Sequence, residues 1–283
     1  MTLYHLPDSA IEQFLEEDIP YGDLTTSLLG IGTKQGIINF TSRQRTVLCC
    51  TEEACRVLEK CGASIISTLP SGTVVENGIT FLSATGTAAS LHAGWKVALN
   101  LLEYASGIAT RTNTIVSLAK AINPDISVVS TRKSFPGTKK IAIKSIMAGG
   151  ALPHRLGLSE TILIFRQHTA FLGGLENFLE TLALLKKRAP ENKIIVEADT
   201  AEEALKIAAA GADVVQVDKM AIEELSRLAT EIHSDFPGVK ISAAGGINAE
   251  NTTAYAETGV DILVLSSVYF GKPSDIKATI TEV

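Results

Sequence analysis

The sequence lacks the features that would assign its 283 residues to a membrane or to nucleic acid. It has no apolar run long enough to cross a bilayer, and residues 1–5 lack the charged-then-apolar pattern of an export signal. A net charge of −6 provides no basic surplus for nucleic acid or an anionic membrane surface. We therefore expect a cytoplasmic protein whose main partner is neither a nucleic acid nor a membrane.

Cysteine is scarce, and its spacing argues against a zinc site. Cys49, Cys50, Cys55 and Cys61 all fall in the first quarter of the chain, without paired C-x-x-C spacing. We interpret them as reduced thiols that pack in the core and take no part in catalysis.

Acidic residues are absent from residues 126–159, although the chain as a whole is acidic. The basic residues of this stretch are Arg132, Lys133, Lys139, Lys140, Lys144, His154 and Arg155. Arg132 and Lys133 follow an apolar run at 126–129, and His154 and Arg155 precede another at 162–165. Cations beside strand ends indicate a pocket for phosphate or carboxylate.

The other three basic residues have a simpler explanation. Lys139, Lys140 and Lys144 follow the helix-opening pair Pro136-Gly137. We interpret them as the solvated face of that helix.

The first hundred residues indicate a small α+β domain. A helix capped by Asp8 or Ser9 is followed by strand-like runs at 36–40 and 79–82. A long helix is predicted over 94–121, with Trp95 on its buried stripe and a proline at its end.

Beyond Pro124, apolar strands alternate with amphipathic helices. The strands are predicted at 126–129, 162–165, 194–196, 214–217, 239–242 and 262–265, and helices at 200–210, 222–232 and 248–258. This alternation implies parallel strands with right-handed crossovers, which a doubly wound sheet or a barrel would satisfy. We favour a barrel, because polar residues recur just past the strands, and the six strands are two fewer than a full eight-stranded barrel has. The residues past the strands are Thr131, Glu197, Asp218, Gly245 and Ser266.

We divide the chain into an N-terminal α+β domain at 1–105, an α/β barrel at 106–270 and a tail at 271–283. The tail is expected to pack back on the N-terminal domain.

Two carboxylates end consecutive predicted strands. Glu197 follows 194–196 and Asp218 follows 214–217, so parallel strands in register would bring them to one rim. Such a pair suits a hydrated Mg²⁺ or the hydroxyls of a ribose. An ion pair with Lys219 is the structural alternative for these carboxylates. Asp199 could share their direction or cap the next helix.

Residues 243–248, A-A-G-G-I-N, lie between a predicted strand and a predicted helix. Glycines there let backbone N–H groups point at a ligand, as in a barrel phosphate loop. Tight strand-to-helix turns also use Gly-Gly, so Gly245 and Gly246 alone are weak support.

Several motifs occur together in an order that resembles the quinolinate phosphoribosyltransferase family. They are E-D-I-P-Y-G-D-L-T-T at 17–26, S-G-I-A-T at 106–110, T-R-K at 131–133, H-R-x-G-L at 154–158 and Gly245-Gly246. The chain looks most similar to the ModD branch, pyrophosphorylases associated with molybdate transport. The pointers are E-Y-A-S-G at 103–107, P-H-R-L-G-L-S-E at 153–160 and Q-V-D-K at 216–219.

The resemblance implies a glycosyltransferase of the pentosyltransferase class that uses phosphoribosyl pyrophosphate with Mg²⁺. It also implies an N-terminal α+β domain followed by an incomplete α/β barrel of six or seven strands. The implied assembly is a homodimer, or a higher oligomer, in which one subunit's N-terminal domain covers the other's barrel. Candidate catalytic residues are Glu197, Asp218 and Lys133, with Mg²⁺ held near the two carboxylates. Candidate substrate-binding residues are Lys96, Thr131, Arg132, Lys133, His154, Arg155 and Phe165. The 5′-phosphate is assigned to Gly245, Gly246 and Ser266.

The chain also departs from the quinolinate enzymes. Lys96 stands where they carry arginine, and Phe165 stands where they carry lysine, so two cationic contacts to substrate are weakened or lost. In the phosphate region, Ala244 replaces serine, Ser266 replaces glycine and Phe270 replaces histidine.

These comparisons favour transfer of ribosyl phosphate to an acidic or aromatic nitrogen acceptor other than quinolinate, with release of pyrophosphate. Quinolinate phosphoribosyltransferase of NAD synthesis is the nearest enzymatic alternative. A non-catalytic anion-binding protein is a third hypothesis, but carboxylates such as Glu197 and Asp218 weaken simple anion binding.

The implied dimer predicts that active sites are composite. Mixing Lys96→Ala subunits with Arg132→Ala subunits should restore one intact site in each heterodimer, and turnover should rise above that of either variant alone. Steady-state pyrophosphate release measures the rescue. Absence of rescue, or a monomer in sedimentation velocity, would contradict the prediction.

Overall fold

The computed structural model describes residues 5–283, in which antiparallel and parallel strands are kept in separate sheets. The chain divides into two units. The first is formed by the chain up to Asn113 with Ser134–Gly150 and Tyr269–Val283, and the second by Thr114–Lys133 with Ala151–Val268. Within residues 5–283, no helix combines the length and apolar character that a bilayer crossing requires.

The described residues form ten α-helices and thirteen strands. The helices are α1 (Asp8–Asp18), α2 (Leu24–Leu28), α3 (Thr51–Lys60), α4 (Ala88–Ile122), α5 (Lys139–Ala148), α6 (Arg166–Thr169), α7 (Leu175–Arg188), α8 (Ala201–Ala209), α9 (Ile222–Asp235) and α10 (Thr252–Glu257). The strands are β1 (Gln35–Ser42), β2 (Thr46–Val47), β3 (Ser64–Thr68), β4 (Val74–Val75), β5 (Thr80–Thr87), β6 (Ser127–Ser130), β7 (Leu152–Pro153), β8 (Ile162–Ile164), β9 (Ile194–Ala198), β10 (Val214–Asp218), β11 (Lys240–Ala244), β12 (Ile262–Leu265) and β13 (Ile276–Glu282). Two short 3₁₀ segments, Ala170–Leu172 and Ser267–Tyr269, complete the elements.

A four-stranded antiparallel sheet organises the first unit, in the order β13-β1-β5-β3. Side chains alternate along β1, so Ile38 and Phe40 are fully buried between half-exposed neighbours. The strands predicted at 36–40 and 79–82 correspond to β1 and β5. The chain end at 271–283 contributes β13, which pairs along the whole of β1 from Gly36 to Ser42.

The motif at 106–110 has a structural use in the first unit. Ser106 Oγ accepts a hydrogen bond from the Cys49 N–H at 3.0 Å, and Thr110 Oγ1 accepts one from the Val47 N–H at 2.9 Å. The hydroxyls of α4 thereby satisfy backbone donors that lie at and beyond the short strand β2.

Helix α4 is longer than predicted and exposes one residue expected inside. It covers Ala88–Ile122, whereas the pattern predicted 94–121. Its stripe at Leu101, Leu102 and Ala105 is buried as expected, but the prediction for Trp95 is wrong, because that side chain is 39% exposed. Cys49, Cys50 and Cys55 are buried free thiols and Cys61 is half-buried.

The interpretation of Lys144 as a solvated residue is wrong. Lys139 and Lys140 are exposed on α5, but Lys144 is fully buried. Its ammonium lies 2.6 Å from Glu53 Oε2 and 2.9 Å from Glu52 Oε2. Although burial raises the pKa of Glu52, hydrogen bonds from Ser71 and Lys144 hold it at about 2, below the ordinary 4.5. This paired charge therefore belongs to the interior of the first unit.

Seven parallel strands form the second unit, in the order β7-β6-β12-β11-β10-β9-β8. The sheet is curled and open, which confirms the incomplete α/β barrel implied by the resemblance. Its central strands read as nearly continuous apolar runs, because helices cover one face and packed side chains the other. All six predicted strands are present within one or two residues, and β7 is the seventh. A two-residue strand such as β7 leaves no periodicity to detect.

We predict a large loss of stability when the cation of the buried ion pair in the first unit is removed. Lys144→Met should destabilise the protein by about 3–5 kcal/mol, because the carboxylate of Glu53 would stay buried without its partner. Urea unfolding followed by circular dichroism measures the loss. Lys139→Met, a change at an exposed position of the same helix, should alter stability by less than about 0.5 kcal/mol. Equal effects of the two substitutions would contradict a buried pair.

Candidate active site

The predicted site residues of the second unit lie at the carboxyl ends of its parallel strands. Thr131 follows β6, His154 follows β7, Phe165 follows β8 and Ser266 follows β12. Glu197 is the fourth residue of β9 and Asp218 the last of β10. This edge is where α/β proteins place their ligands.

Thr131 and Ser266 tie together the ends of two adjacent strands. The Thr131 N–H donates to the Leu265 carbonyl at 2.8 Å, and the hydroxyls of Thr131 and Ser266 lie 2.8 Å apart. Thr131 Oγ1 also accepts a hydrogen bond from the Lys133 N–H at 3.3 Å. The loop that carries the exposed Arg132 and Lys133 therefore starts from a fixed point on the sheet.

Arg155 lies in a cationic environment without a compensating bond at its Nε atom. That atom is buried and has no hydrogen-bond partner among the described residues. Burial lowers the pKa of Arg155 and the charge of Arg132 lowers it further, while the carboxylate of Glu160 raises it. Two guanidinium groups that repel each other, one with an unused donor, form a favourable place for an anion.

His154 joins this cluster as a neutral group. Its backbone N–H donates to the Ser130 carbonyl at 2.9 Å, which places it beside the end of β6. Burial lowers the pKa of His154, and Arg155 adds to the effect. The ring is therefore uncharged at pH 7, and the cationic charge of the cluster comes from Arg132, Lys133 and Arg155.

The two carboxylates share one face of the sheet. Gln216 on β10 is the register partner of Glu197 on β9, and Asp218 lies two residues further along β10. Because strand side chains alternate, all three project to the same side. Burial raises the pKa of Glu197, and the charges of Asp218 and Asp199 raise it as well, while a Gln216 hydrogen bond and Lys133 lower it.

Gly245 allows the loop after β11 to lie directly against Asp218. Its φ is +89°, and a Cβ atom at this position would collide with the Asp218 carboxylate and the Lys219 side chain. Gly246 is also left-handed, with a φ of +74°. Helix α10 begins only at Thr252, later than the predicted 248, because Asn248 and Asn251 form a hydrogen-bonded turn first.

Phe165 is half-buried at the end of β8 and packs near Leu163, Ile195 and Val214. Its ring stacks on His168 with centroids 5.9 Å apart and planes 18° from parallel. It lines a cavity that also contains Glu197. The predicted substrate residue Lys96 belongs to the first unit, where it is exposed on α4.

The residues present fit Mg²⁺ only together with a ligand. Within residues 5–283, no group of three or more His, Cys, Asp or Glu side chains could hold a metal ion by itself. Glu197 and Asp218 supply two carboxylates, and Mg²⁺ is commonly held by one or two carboxylates plus the phosphates of a substrate. These two residues are therefore the ones that would contribute to such a site.

Two residues outside the predicted site set, Gln216 and His168, contribute to this geometry. Gln216 is 4% exposed and donates a hydrogen bond from Nε2 to Glu197 Oε2 at 2.8 Å. A single polar residue in the apolar run 214–217 was the available signal. His168 Nδ1 accepts a hydrogen bond from the Phe165 N–H at 3.0 Å, and no sequence signal indicates that contact.

Two family models match most of the chain. The model described as quinolinate phosphoribosyl transferase, N-terminal domain, matches residues 23–106, and that of the C-terminal domain matches residues 108–277.

The chain is similar in sequence to proteins that carry either of two names. A Rhodobacter capsulatus protein named as the pyrophosphorylase ModD is 39% identical over 257 residues, covering 91% of this chain and 98% of that protein. The nicotinate-nucleotide pyrophosphorylase [carboxylating] of Rattus norvegicus is 28% identical, covering 92% and 86%. The crystal structure of NadC from Streptococcus pyogenes has the same fold, with a TM-score of 0.89, 24% identity and 99% of each chain covered.

We predict that substitution of Glu197 or Asp218 lowers activity without lowering stability. Glu197→Gln and Asp218→Asn should each lower turnover by about 10²–10³-fold, the effect of removing one electrostatic stabiliser of a transition state. Unfolding free energies should stay near wild type, because burial already disfavours the charged form of Glu197 and Asp218 is exposed. Pyrophosphate release and urea unfolding are the two measurements.

Asp235→Asn, at the exposed end of α9, is the matched control and should change neither quantity. A stability loss of several kcal/mol in the rim variants would instead indicate a structural ion pair. Unchanged turnover in both would remove their catalytic role.

Proposed function

The chain belongs to the quinolinate phosphoribosyl transferase family, and we propose that it transfers ribosyl phosphate from phosphoribosyl pyrophosphate to a nitrogen acceptor other than quinolinate. As a member of that family it is an enzyme of the phosphoribosyltransferase type. Among the relatives compared, those named as ModD are 35–39% identical to this chain, and those named as nicotinate-nucleotide pyrophosphorylases are 28–30% identical. The observation that carries the proposal is that Glu197 and Asp218 lie on one face of the sheet at the carboxyl ends of β9 and β10, where Lys133 lowers the pKa of Glu197.

The reaction joins an acceptor nitrogen to the ribose carbon and breaks that carbon's bond to pyrophosphate. As the leaving group departs, positive charge develops on the ribose. Glu197 and Asp218 stabilise that charge, as carboxylates do for the related ion in glycoside hydrolysis. Lys133, Arg132 and Arg155 neutralise the departing pyrophosphate.

The ribose 5′-phosphate is assigned to the loop after β11. Gly245 and Gly246 are consecutive left-handed glycines, and the space next to the Cα of Gly246 is open, which allows close approach of a phosphate group. The hydroxyl of Ser266 lies at the end of the adjacent strand β12. The donor would therefore extend from this loop to the arginines after β6 and β7.

Magnesium is proposed as a cofactor that arrives with the donor. When bound, it would neutralise charge on the pyrophosphate oxygens. Glu197 and Asp218 would hold it together with those oxygens, because the described protein residues alone do not complete a site.

Phe165 and Lys96 support an acceptor other than quinolinate. Quinolinate carries two carboxylates, each of which needs cations in a desolvated pocket. At residue 165, where the quinolinate enzymes have lysine, this chain presents an aromatic ring. At residue 96 it has lysine instead of arginine, which gives up bidentate recognition of a carboxylate. The composite dimer implied by the resemblance would bring Lys96 to the partner's site.

Quinolinate remains the second candidate acceptor. The family model and the nicotinate-nucleotide pyrophosphorylase relative favour it. The cationic residues Arg132, Lys133 and Arg155 would be available to one carboxylate of that substrate.

The two proposals differ in the rate with quinolinate. We predict that wild-type protein releases little or no pyrophosphate with quinolinate, and that Lys96→Arg with Phe165→Lys raises the rate. Each charge-assisted hydrogen bond recovered at a desolvated site is worth about 2–3 kcal/mol, or one to two decades in rate. Steady-state pyrophosphate release measures both proteins.

Thermal melting with phosphoribosyl pyrophosphate and Mg²⁺ is the accompanying control. The donor should raise the melting temperature of both proteins, because a ligand of the folded state stabilises it. Wild-type turnover of quinolinate at the rate of an ordinary metabolic enzyme would replace the proposal with the second candidate. Absence of stabilisation by the donor would contradict phosphoribosyl transfer itself.

A further inference from the structure

A small cavity lies at the carboxyl ends of β8 and β9, within the second unit. Its volume is about 220 Å³, below the roughly 300–1,000 Å³ of pockets for drug-sized ligands. It is lined by ten residues, of which the aromatic and charged ones are Phe165, Arg166, Glu197, Asp199 and Glu203. The space suits one small ring, and the inclusion of Glu197 connects it to the proposed ribose site.

The charge of this lining is unfavourable to an anion. It holds three carboxylates and one guanidinium, and Arg166 is already paired with Asp199 at 3.1 Å. Lys133 acts on Glu197 from outside the cavity. Glu203 accepts a hydrogen bond from the Asp199 N–H at 2.9 Å, so its carboxylate is held at the cavity wall.

One wall of the cavity is an aromatic ring in a fixed orientation. The Phe165 N–H donates to His168 Nδ1 at 3.0 Å, and the two rings stack. A planar ligand gains contact area and favourable stacking geometry from such a wall, whether or not it carries charge.

A buried hydrogen-bond acceptor beside the cavity lacks a donor. Gln216 is 4% exposed and its Nε2 donates to Glu197, but its Oε1 has no partner among the described residues. Gln216 does not itself line the cavity, but its amide holds Glu197, which does. The carboxylate oxygens of the lining accept hydrogen bonds, so a ligand N–H is the donor that suits them.

We infer that this cavity binds the acceptor as an uncharged aromatic nitrogen heterocycle that presents N–H donors, and that it disfavours carboxylate anions. The inference rests on the proposed function, since it names the class of acceptor at the same site. The inference divides the site by charge: arginines after β6 and β7 receive the donor's phosphates, while the ends of β8 and β9 present an aromatic ring and carboxylates to the acceptor.

A series of pyridines that differ in charge on one ring tests this class. Nicotinamide is neutral with N–H donors, nicotinate carries one negative charge and quinolinate two. Each is titrated into the full protein by isothermal calorimetry, alone and again with Mg²⁺, ribose 5-phosphate and pyrophosphate, which mimic the donor without allowing transfer. Affinity should fall along the series, by about tenfold or more between nicotinamide and quinolinate.

Neighbouring glutamates on α8 provide matched variants. Glu203→Gln removes a charge from the cavity wall and keeps an oxygen for the Asp199 N–H. Glu202→Gln removes the same charge from an exposed residue that pairs with Lys206 at 3.1 Å. The ratio of nicotinamide to quinolinate affinity should fall severalfold in Glu203→Gln and stay at the wild-type value in Glu202→Gln. Phe165→Leu should weaken nicotinamide binding.

Quinolinate binding as tightly as nicotinamide in the wild type would overturn the inference. An equal effect of the two glutamine substitutions would also overturn it, because the charge effect would then be general and not that of the cavity. Titration of phosphoribosyl pyrophosphate with Mg²⁺ distinguishes failure of the cavity inference from failure of the proposed function. Donor binding without any pyridine binding contradicts the cavity's role alone, whereas absence of donor binding contradicts the proposed function.

Discussion

The parallel register of β9, β10 and β11 is the constraint on which the candidate site depends. Gln216 faces Glu197 on one side, and Asp218 is paired with Ala244 on the other. Parallel strands bring all their carboxyl ends to one edge, so residues about twenty positions apart in the chain become neighbours. The left-handed backbone of Gly245 then allows the next loop to reach Asp218 without a steric clash.

Electrostatic compensation links the two halves of this edge. Burial and the charge of Arg132 lower the pKa of Arg155 while Glu160 raises it, and burial, Asp218 and Asp199 raise the pKa of Glu197. Lys133 is a cation that lowers the pKa of Glu197. A negatively charged donor near the arginines and a neutral ring near the carboxylates would match this arrangement better than two negatively charged ligands.

The buried lysine of the first unit is paired within the protein and has a structural role. Lys144 contacts Glu52 and Glu53 within hydrogen-bonding distance, and its partners are largely shielded from water. Removing these charges from water costs free energy, and the group is stable only while each charge keeps its hydrogen-bond partners. The same residue type at Lys139, five positions earlier on the helix, is exposed. Charge alone therefore does not distinguish a structural lysine from a solvated one.

The strand-and-helix alternation, the polar residues past each strand and the ordered motifs determined the fold class, the family and most of the candidate residues. Those features are local, because the periodicity of an element and the polar residues at its end are set by residues that are close together in the sequence. Tertiary structure alone decided the burial of Lys144, the exposure of Trp95, the two-residue strand β7 and the contacts of Gln216 and His168. Each depends on what a distant segment places against the side chain, and neither periodicity nor composition records that.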